Sequence, residues 1–152
     1  MSSVQTRHLF TATMETIPTV IGDVPMGYFR RVGILTGGRF EGERLRGRVL
    51  PGGGDWLIQR PDGAVHLDVR CVLETDAAEL IYMTYTGRRV TTPPVTAKLS
   101  RHEPVAAEEM YFRVAVQFET AAPALLWLND LIAVGIGSRP AAGPVYEVFE
   151  VL

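Results

Sequence analysis

Glycine and proline punctuate this chain at short, even intervals, and that spacing constrains the fold more than any other feature. Fifteen Gly and ten Pro among 152 residues cut it into pieces of about five to twelve residues, the rhythm of an antiparallel β-sandwich or barrel. No apolar pattern of helical period persists over several turns, which disfavours helical bundles and doubly wound α/β folds. Residues 4–16 (VQTRHLFTATMET), rich in Thr, Val and Phe and free of Gly and Pro, read as a strand. Residues 17–25 (IPTVIGDVP), broken by Pro18, Gly22 and Pro25, read as a loop. Further strands are expected at 28–36, at 39–42 with 45–50, and at 56–59, 65–75, 80–87, 111–118, 131–136 and 145–152. The glycine-dense passage Pro51-Gly52-Gly53-Gly54-Asp55-Trp56 reads as a tight turn that aims Asp55 and Trp56. Residues 95–102 suit a short helix or an irregular strand, and 124–130 a helical turn or an aromatic-seating corner. The expectation is an all-β chain, one domain over 1–152, with about eight to ten strands.

Composition narrows the function classes. With 15 Lys+Arg against 17 Asp+Glu the formal net charge is −2, so the basic excess of a nucleic-acid binder is missing. Apolar residues make up 47% of the chain, enough for a packed core. The single Cys71 excludes an internal disulfide framework and any multi-cysteine cluster. No apolar run reaches the roughly 18 residues of a membrane span, and the first residues do not resemble a secretion signal. The expected setting is cytoplasmic, with no membrane partner.

Strand alternation sorts side chains into two faces. In 65–75 one face is Val65, Leu67, Val69, Cys71 and Leu73; the other is His66, Asp68, Arg70, Val72 and Glu74. In 111–118 Phe112, Val114, Val116 and Phe118 oppose Tyr111, Arg113, Ala115 and Gln117. The polar faces fit either a solvated exterior or a lumen in which Asp68 and Arg70 meet Arg113 and Tyr85. Residues 80–87 and 145–152 carry apolar side chains on both faces. That suits a closed barrel whose exterior is covered in part by a partner subunit.

Several chemistries lack their signature. The glycine cluster has no following Lys-Ser/Thr and no strand–helix context, so it is neither a P-loop nor a dinucleotide fingerprint. No GxSxG elbow is present, and Cys71 falls on an apolar face, where a thiol is inert. His8, His66 and His102 show no metal-ligand spacing, and no metal or other cofactor is expected. What remains is a set of acids, arginines and aromatics. A carboxylate against an aromatic in an apolar cavity has a raised pKa and can exchange protons near neutrality; an arginine beside it can hold an oxyanion. Asp55 and Asp68 are the candidate catalytic acids. Trp56, Arg70, Tyr85, Arg113, Trp127 and Asn129 are the candidate ligand-binding residues, the two tryptophans fitting a pocket wall or a barrel plug equally well.

The blocks LTGGRFEGERLRGRVLPGGGDWLIQRPDG, LDVRCVLETDAAELIYMTYTGRR, YFRVAVQFETAAPALLWLNDLIAVGIGSR and YEVFEV, in this order, resemble the family catalogued as domain of unknown function 3237, the UPF0311-type proteins. The resemblance covers about residues 7–152. Asp55, Trp56, Asp68, Arg70, Arg113, Trp127 and Asn129 fall on its recurring blocks, whereas Ala121 to Leu126 depart from the Gly-Asp turn common there. It implies a small antiparallel β-barrel, loosely lipocalin-like, with at most short helical turns.

Two functions fit these residues. One is a small-molecule-binding barrel, extending to a cofactor-independent lyase, isomerase or hydratase acting on an aromatic or polyketide-like ligand. The other is a non-catalytic scaffold that self-associates, a homodimer being favoured, through an open edge on the apolar C-terminal strand VYEVFEVL.

Overall fold

Strands with one apolar face leave that face exposed in a flat sheet, and this chain covers it by closing the sheet on itself. The computed structural model describes residues 2–152. Its strands are β1 (Thr6–Val24), β2 (Tyr28–Glu41), β3 (Arg46–Val49), β4 (Gly54–Asp55), β5 (Ile58–Gln59), β6 (Val65–Thr75), β7 (Leu80–Val90), β8 (Tyr111–Glu119), β9 (Ala133–Ser138) and β10 (Val145–Val151). One α-helix, α1 (Pro93–Ser100), and two 3-10 helices, Ala107–Glu109 and Pro123–Asp130, interrupt them. All pairings are antiparallel. The order β1-β10-β9-β8-β7-β6-β3-β2 returns to β1 through the β1–β2 pairing and completes a ring. The short β3, β4 and β5 share the single place between β2 and β6.

The all-β barrel expected from the sequence is the fold observed, with local corrections. Residues 17–24, expected as a loop, continue β1 and pair with β2 as far as Val24 and Tyr28. Pro18 is tolerated because this stretch has β2 on one side only, so a missing N–H is not needed for a second ladder. Gly22, at φ +105, sits at the bulge between Val20 and Gly22 that lets the arm bend. The expected strand 56–59 reduces to the two-residue β5, and the ambiguous 95–102 is largely helix, with Pro93 and Pro94 in the first turn where no N–H is missed. The C-terminal strand is not an edge: β10 lies between β1 and β9. The open edge is instead the far half of β1.

Inward side chains fill the barrel unevenly. At one end Phe10, Phe40 and Phe118 pack edge-to-face, with ring centroids 5.4 and 6.0 Å apart. Leu73 and Ile81 lie fully buried among the barrel core, and the Pro123–Asp130 turn contributes the buried Leu125 and Leu128. That end is sealed by hydrocarbon. At the other end the inward positions turn polar, and the barrel is hollow.

Candidate functional site at the barrel mouth

Asp55 reaches the interior because β4 is inserted between β2 and β6, facing Gly33 on one side and Val69 on the other. The insertion needs a bare backbone beside it: a Cβ on Gly53 would lie 2.4 Å from the Arg70 carbonyl oxygen. The Asp55 carboxylate accepts a hydrogen bond from the Asp68 backbone N–H at 3.1 Å, which fixes its direction. It lines an inner chamber of about 50 Å³ with Met14, Leu67, Val69, Tyr85, Phe112, Tyr146, Arg89 and Arg139. Arg89 and Arg139 also line an outer vestibule of about 240 Å³, together with Arg31, Gln59, Thr96, Leu99 and His102. The vestibule is thus roofed in part by α1. A hollow of about 450 Å³ on the outer surface, around Tyr111, Arg113 and Phe149, is larger. It is more open and lacks a carboxylate, so chemistry favours the smaller, deeper site.

The electrostatics follow from enclosure. Burial pushes the Asp55 carboxyl up to about 6; its backbone hydrogen bond and the nearby Arg31 and Arg89 pull the other way without cancelling it. Burial first, and then the like charges of Arg31 and Arg139, lower Arg89 to about 10. Arg31 is lowered by burial and then by Arg139. Tyr85 and Tyr146 are buried with ring centroids 5.0 Å apart, and both hydroxyls are raised well above the usual phenol range, chiefly by burial. Phe112 meets Tyr146 edge-on at 5.4 Å. At neutral pH the mouth therefore presents one poised carboxylate, two neutral phenols and three guanidiniums on apolar walls. Asp55 is the one acid lining the inner chamber, and no three His, Cys, Asp or Glu side chains among the described residues stand together as metal ligands.

The residues singled out from the sequence separate into three places. Asp55 and Tyr85 line the chamber together. Asp68, Arg70 and Trp56 form an outer cluster: the Arg70 guanidinium lies 3.5 Å from Asp68 and 5.5 Å from the Trp56 ring centroid, with all three side chains open to solvent. Of the two locations open to Asp68 and Arg70, the lumen is ruled out and the solvated exterior observed, since the apolar Val69 and Cys71 hold the inward positions of β6. Asp68 still serves the site through its main-chain N–H. Arg113 also faces outward, 5.2 Å from the Tyr111 ring, and donates to the Phe112 carbonyl at 3.0 Å. Trp127 and Asn129 stand at the sealed end. Trp127 Nε1 donates to the Ala124 carbonyl at 3.2 Å and carries Arg44 over its ring at 4.6 Å. Asn129 bonds the Thr120 N–H, the Thr120 carbonyl and the Leu126 carbonyl. These contacts make a corner plug instead of a pocket wall.

Arg31, Arg89, Arg139 and Tyr146 were missed by sequence reasoning, although parity marks each of them. Arg89 follows Ile81, Met83 and Tyr85 at steps of two, Arg31 precedes Gly33 and Leu35, Arg139 follows Gly135 and Gly137, and Tyr146 precedes Val148. The expected strands ended too early at 87 and 136 to include the arginines there. Arg139 is fixed just beyond β9 by a two-bond bridge to Val105, at 2.8 and 3.0 Å.

A family model described as "Protein of unknown function (DUF3237)" matches residues 4–151. The chain belongs to the DUF3237 family. A UPF0311 protein of Rhodopseudomonas palustris is 35% identical to this DUF3237 chain over 151 residues, 99% of this chain and 98% of the relative. The crystal structure of a conserved protein of unknown function from that species has a TM-score of 0.91 at 33% identity, covering 100% of this chain and 99% of that one. A β-barrel-like protein of Acinetobacter baumannii gives 0.85 at 31% identity, covering 100% and 98%. A chain described as an enzyme from Penicillium herquei gives 0.75 at 21% identity, covering 100% and 97%; at that identity the likeness is one of DUF3237 fold.

Proposed function

We propose that this barrel binds a small oxygenated organic molecule at its mouth and moves a proton on it with Asp55. The reading makes it a cofactor-independent isomerase, lyase or hydratase for an aromatic or polyketide-like ligand. One observation carries it: a carboxyl raised to about 6 lies enclosed beside Arg89 and two neutral tyrosines, on apolar walls. The ionised Asp55 takes a proton from carbon next to a carbonyl; the C–H electron pair moves into the enolate, whose oxygen Arg89 stabilises. Return of the proton to another carbon isomerises the ligand, and departure of a β-substituent instead makes the reaction an elimination. The barrel hosts an enzyme elsewhere, but the case for this chain rests on its own mouth residues.

Deuterium uptake from D2O into a panel of aryl ketones and 1,3-dicarbonyl compounds, followed by NMR, tests the reading. Wild-type protein should accelerate exchange of some members, with a rate that rises through about pH 6, and Asp55→Asn should lower it at least about 100-fold. Equal exchange with and without protein, or in wild type and variant, ends it.

A second reading, self-association, is favoured by the free edge of β1. From Glu15 to Val24 this strand pairs with β2 alone, and Ile17, Val20 and Ile21 are each 60% exposed. Such an edge is self-complementary about a two-fold axis, a second copy adding antiparallel to the first. Sedimentation equilibrium tests it: dimer mass for wild type and monomer mass for Val20→Lys are expected, and monomer mass for both removes it.

A further inference from the structure

Several arginines on the outside of the barrel are matched by acids, and Arg30, Arg88 and Arg113, which are not, donate to backbone carbonyls instead. Arg7 and Arg44 share Glu150, Arg48 faces Glu74, Arg60 faces Asp62 and Arg101 faces Glu103. Those at the mouth are not. Among the described residues, Arg31, Arg89 and Arg139 form no ion pair and donate no side-chain hydrogen bond, yet all three line the vestibule, and Arg89 and Arg139 line the chamber as well. Asp55 is the one acid that lines either space, and its single negative charge leaves the three guanidiniums in excess. Guanidiniums crowded together in an enclosed place raise one another's free energy, and they cost more when buried without partners. The lowered pKa values of Arg31 and Arg89 report the same strain.

We propose that the ligand carries a permanent carboxylate, held in the vestibule by Arg31 and Arg139 with Arg89 beneath, apart from the carbon on which Asp55 acts. The proposal rests on the mouth being the ligand site and adds its substrate class: small organic acids with an aromatic or otherwise apolar body. Two observations favour an organic acid over a free inorganic anion. The chamber below the guanidiniums is walled by Leu67, Val69, Phe112 and the tyrosine rings, which a bare phosphate or sulfate would leave unfilled. Arg89 and Arg139 also line both the vestibule and the chamber that holds Asp55, so a carboxylate anchored there would hang the rest of the molecule toward the acid. Guanidinium recognises a carboxylate through parallel N–H donors, which fixes orientation as well as position.

Calorimetric titration and thermal shift at pH 7.5 and low salt, with 1-naphthoate, 1-naphthamide and sulfate as probes, test this. Naphthoate should bind at least about tenfold more tightly than the isosteric amide, and added salt should weaken it. Arg31→Gln and Arg139→Gln should each cost naphthoate about tenfold while leaving amide binding unchanged. Asp55→Asn should keep or strengthen naphthoate binding, because a negative charge is removed, while abolishing deuterium exchange; this separates the anchor from the proton-transfer group. Equal affinity for acid and amide, or naphthoate binding indifferent to both arginine changes, overturns the proposal. So does sulfate matching naphthoate, which would mark an inorganic-anion site. Absence of carboxylate binding alongside Asp55-dependent exchange of neutral ketones also overturns it, and leaves the proton-transfer reading standing.

Discussion

The two ends of this barrel are built from the same strands and do opposite things. At the sealed end the inward residues are Phe10, Phe40, Phe118, Ile81 and Leu73, capped by Leu128. At the mouth the same strands, β1, β2, β6, β7 and β8, offer Thr16, Arg31, Val65, Arg89 and Phe112 around a hollow. A chain that needed only stability would fill both ends with hydrocarbon, because unpaired buried charges are costly. The contrast teaches that packing and enclosed charge are divided along the barrel axis: one end packs, and the other keeps charge, space and a displaced pKa.

Substitutions at each end can break or sharpen that division. The largest effect belongs to the plug. Phe118→Ala and Leu128→Ala should each destabilise the fold by about 3–5 kcal/mol in urea titrations, through lost burial and an unfilled cavity. Next comes Asp55→Asn, with the opposite sign. The folded carboxyl, near 6, stands above its unfolded value of 3.8, so its protonated form is favoured by folding. Its contribution to stability is fully present below the unfolded pKa and is lost as pH rises through about 6. The variant should therefore exceed wild type by about 3 kcal/mol at pH 8, and the gap should close by about pH 4. Equal Tm values at pH 8 would place Asp55 in an ordinary aqueous setting. Asn129→Ala, which removes a corner holding three backbone groups, should cost about 1–2 kcal/mol with no effect on binding at the mouth. Arg89→Leu should raise stability by about 1 kcal/mol, since a crowded buried cation is replaced by hydrocarbon, while weakening naphthoate binding. Smallest of all, Asp68→Asn should change stability by less than about 1 kcal/mol, because its pair with Arg70 is open to water.

Much of the fold was legible in the chain because its information is local. Period-two alternation sorted the side chains of β6 and β8 into two faces residue by residue, and the Gly and Pro spacing fixed an antiparallel, all-β plan. Proline misled where it sat in an edge stretch, as at Pro18, because its cost depends on whether a neighbouring strand wants its N–H. The candidate site was only partly legible. Asp55 and Tyr85, both singled out from the sequence, line one chamber, whereas Asp68, Arg70 and Arg113, which one reading set beside Tyr85 in a lumen, are turned outward by their strands. Trp127 and Asn129 belong to the opposite end. The missed arginines sit on strand ends, where alternation is shortest and the pattern least able to announce itself.

By itself, then, the order of amino acids determined the all-β, antiparallel plan and which side of the main strands is apolar, because strand geometry couples every side chain to its neighbours two residues away. Only the tertiary structure decided which charged residues share an enclosure. Arg31, Asp55, Arg89 and Arg139 come from four separate segments, and ring closure alone brings them to the same rim, where exclusion of water gives their charges mutual influence.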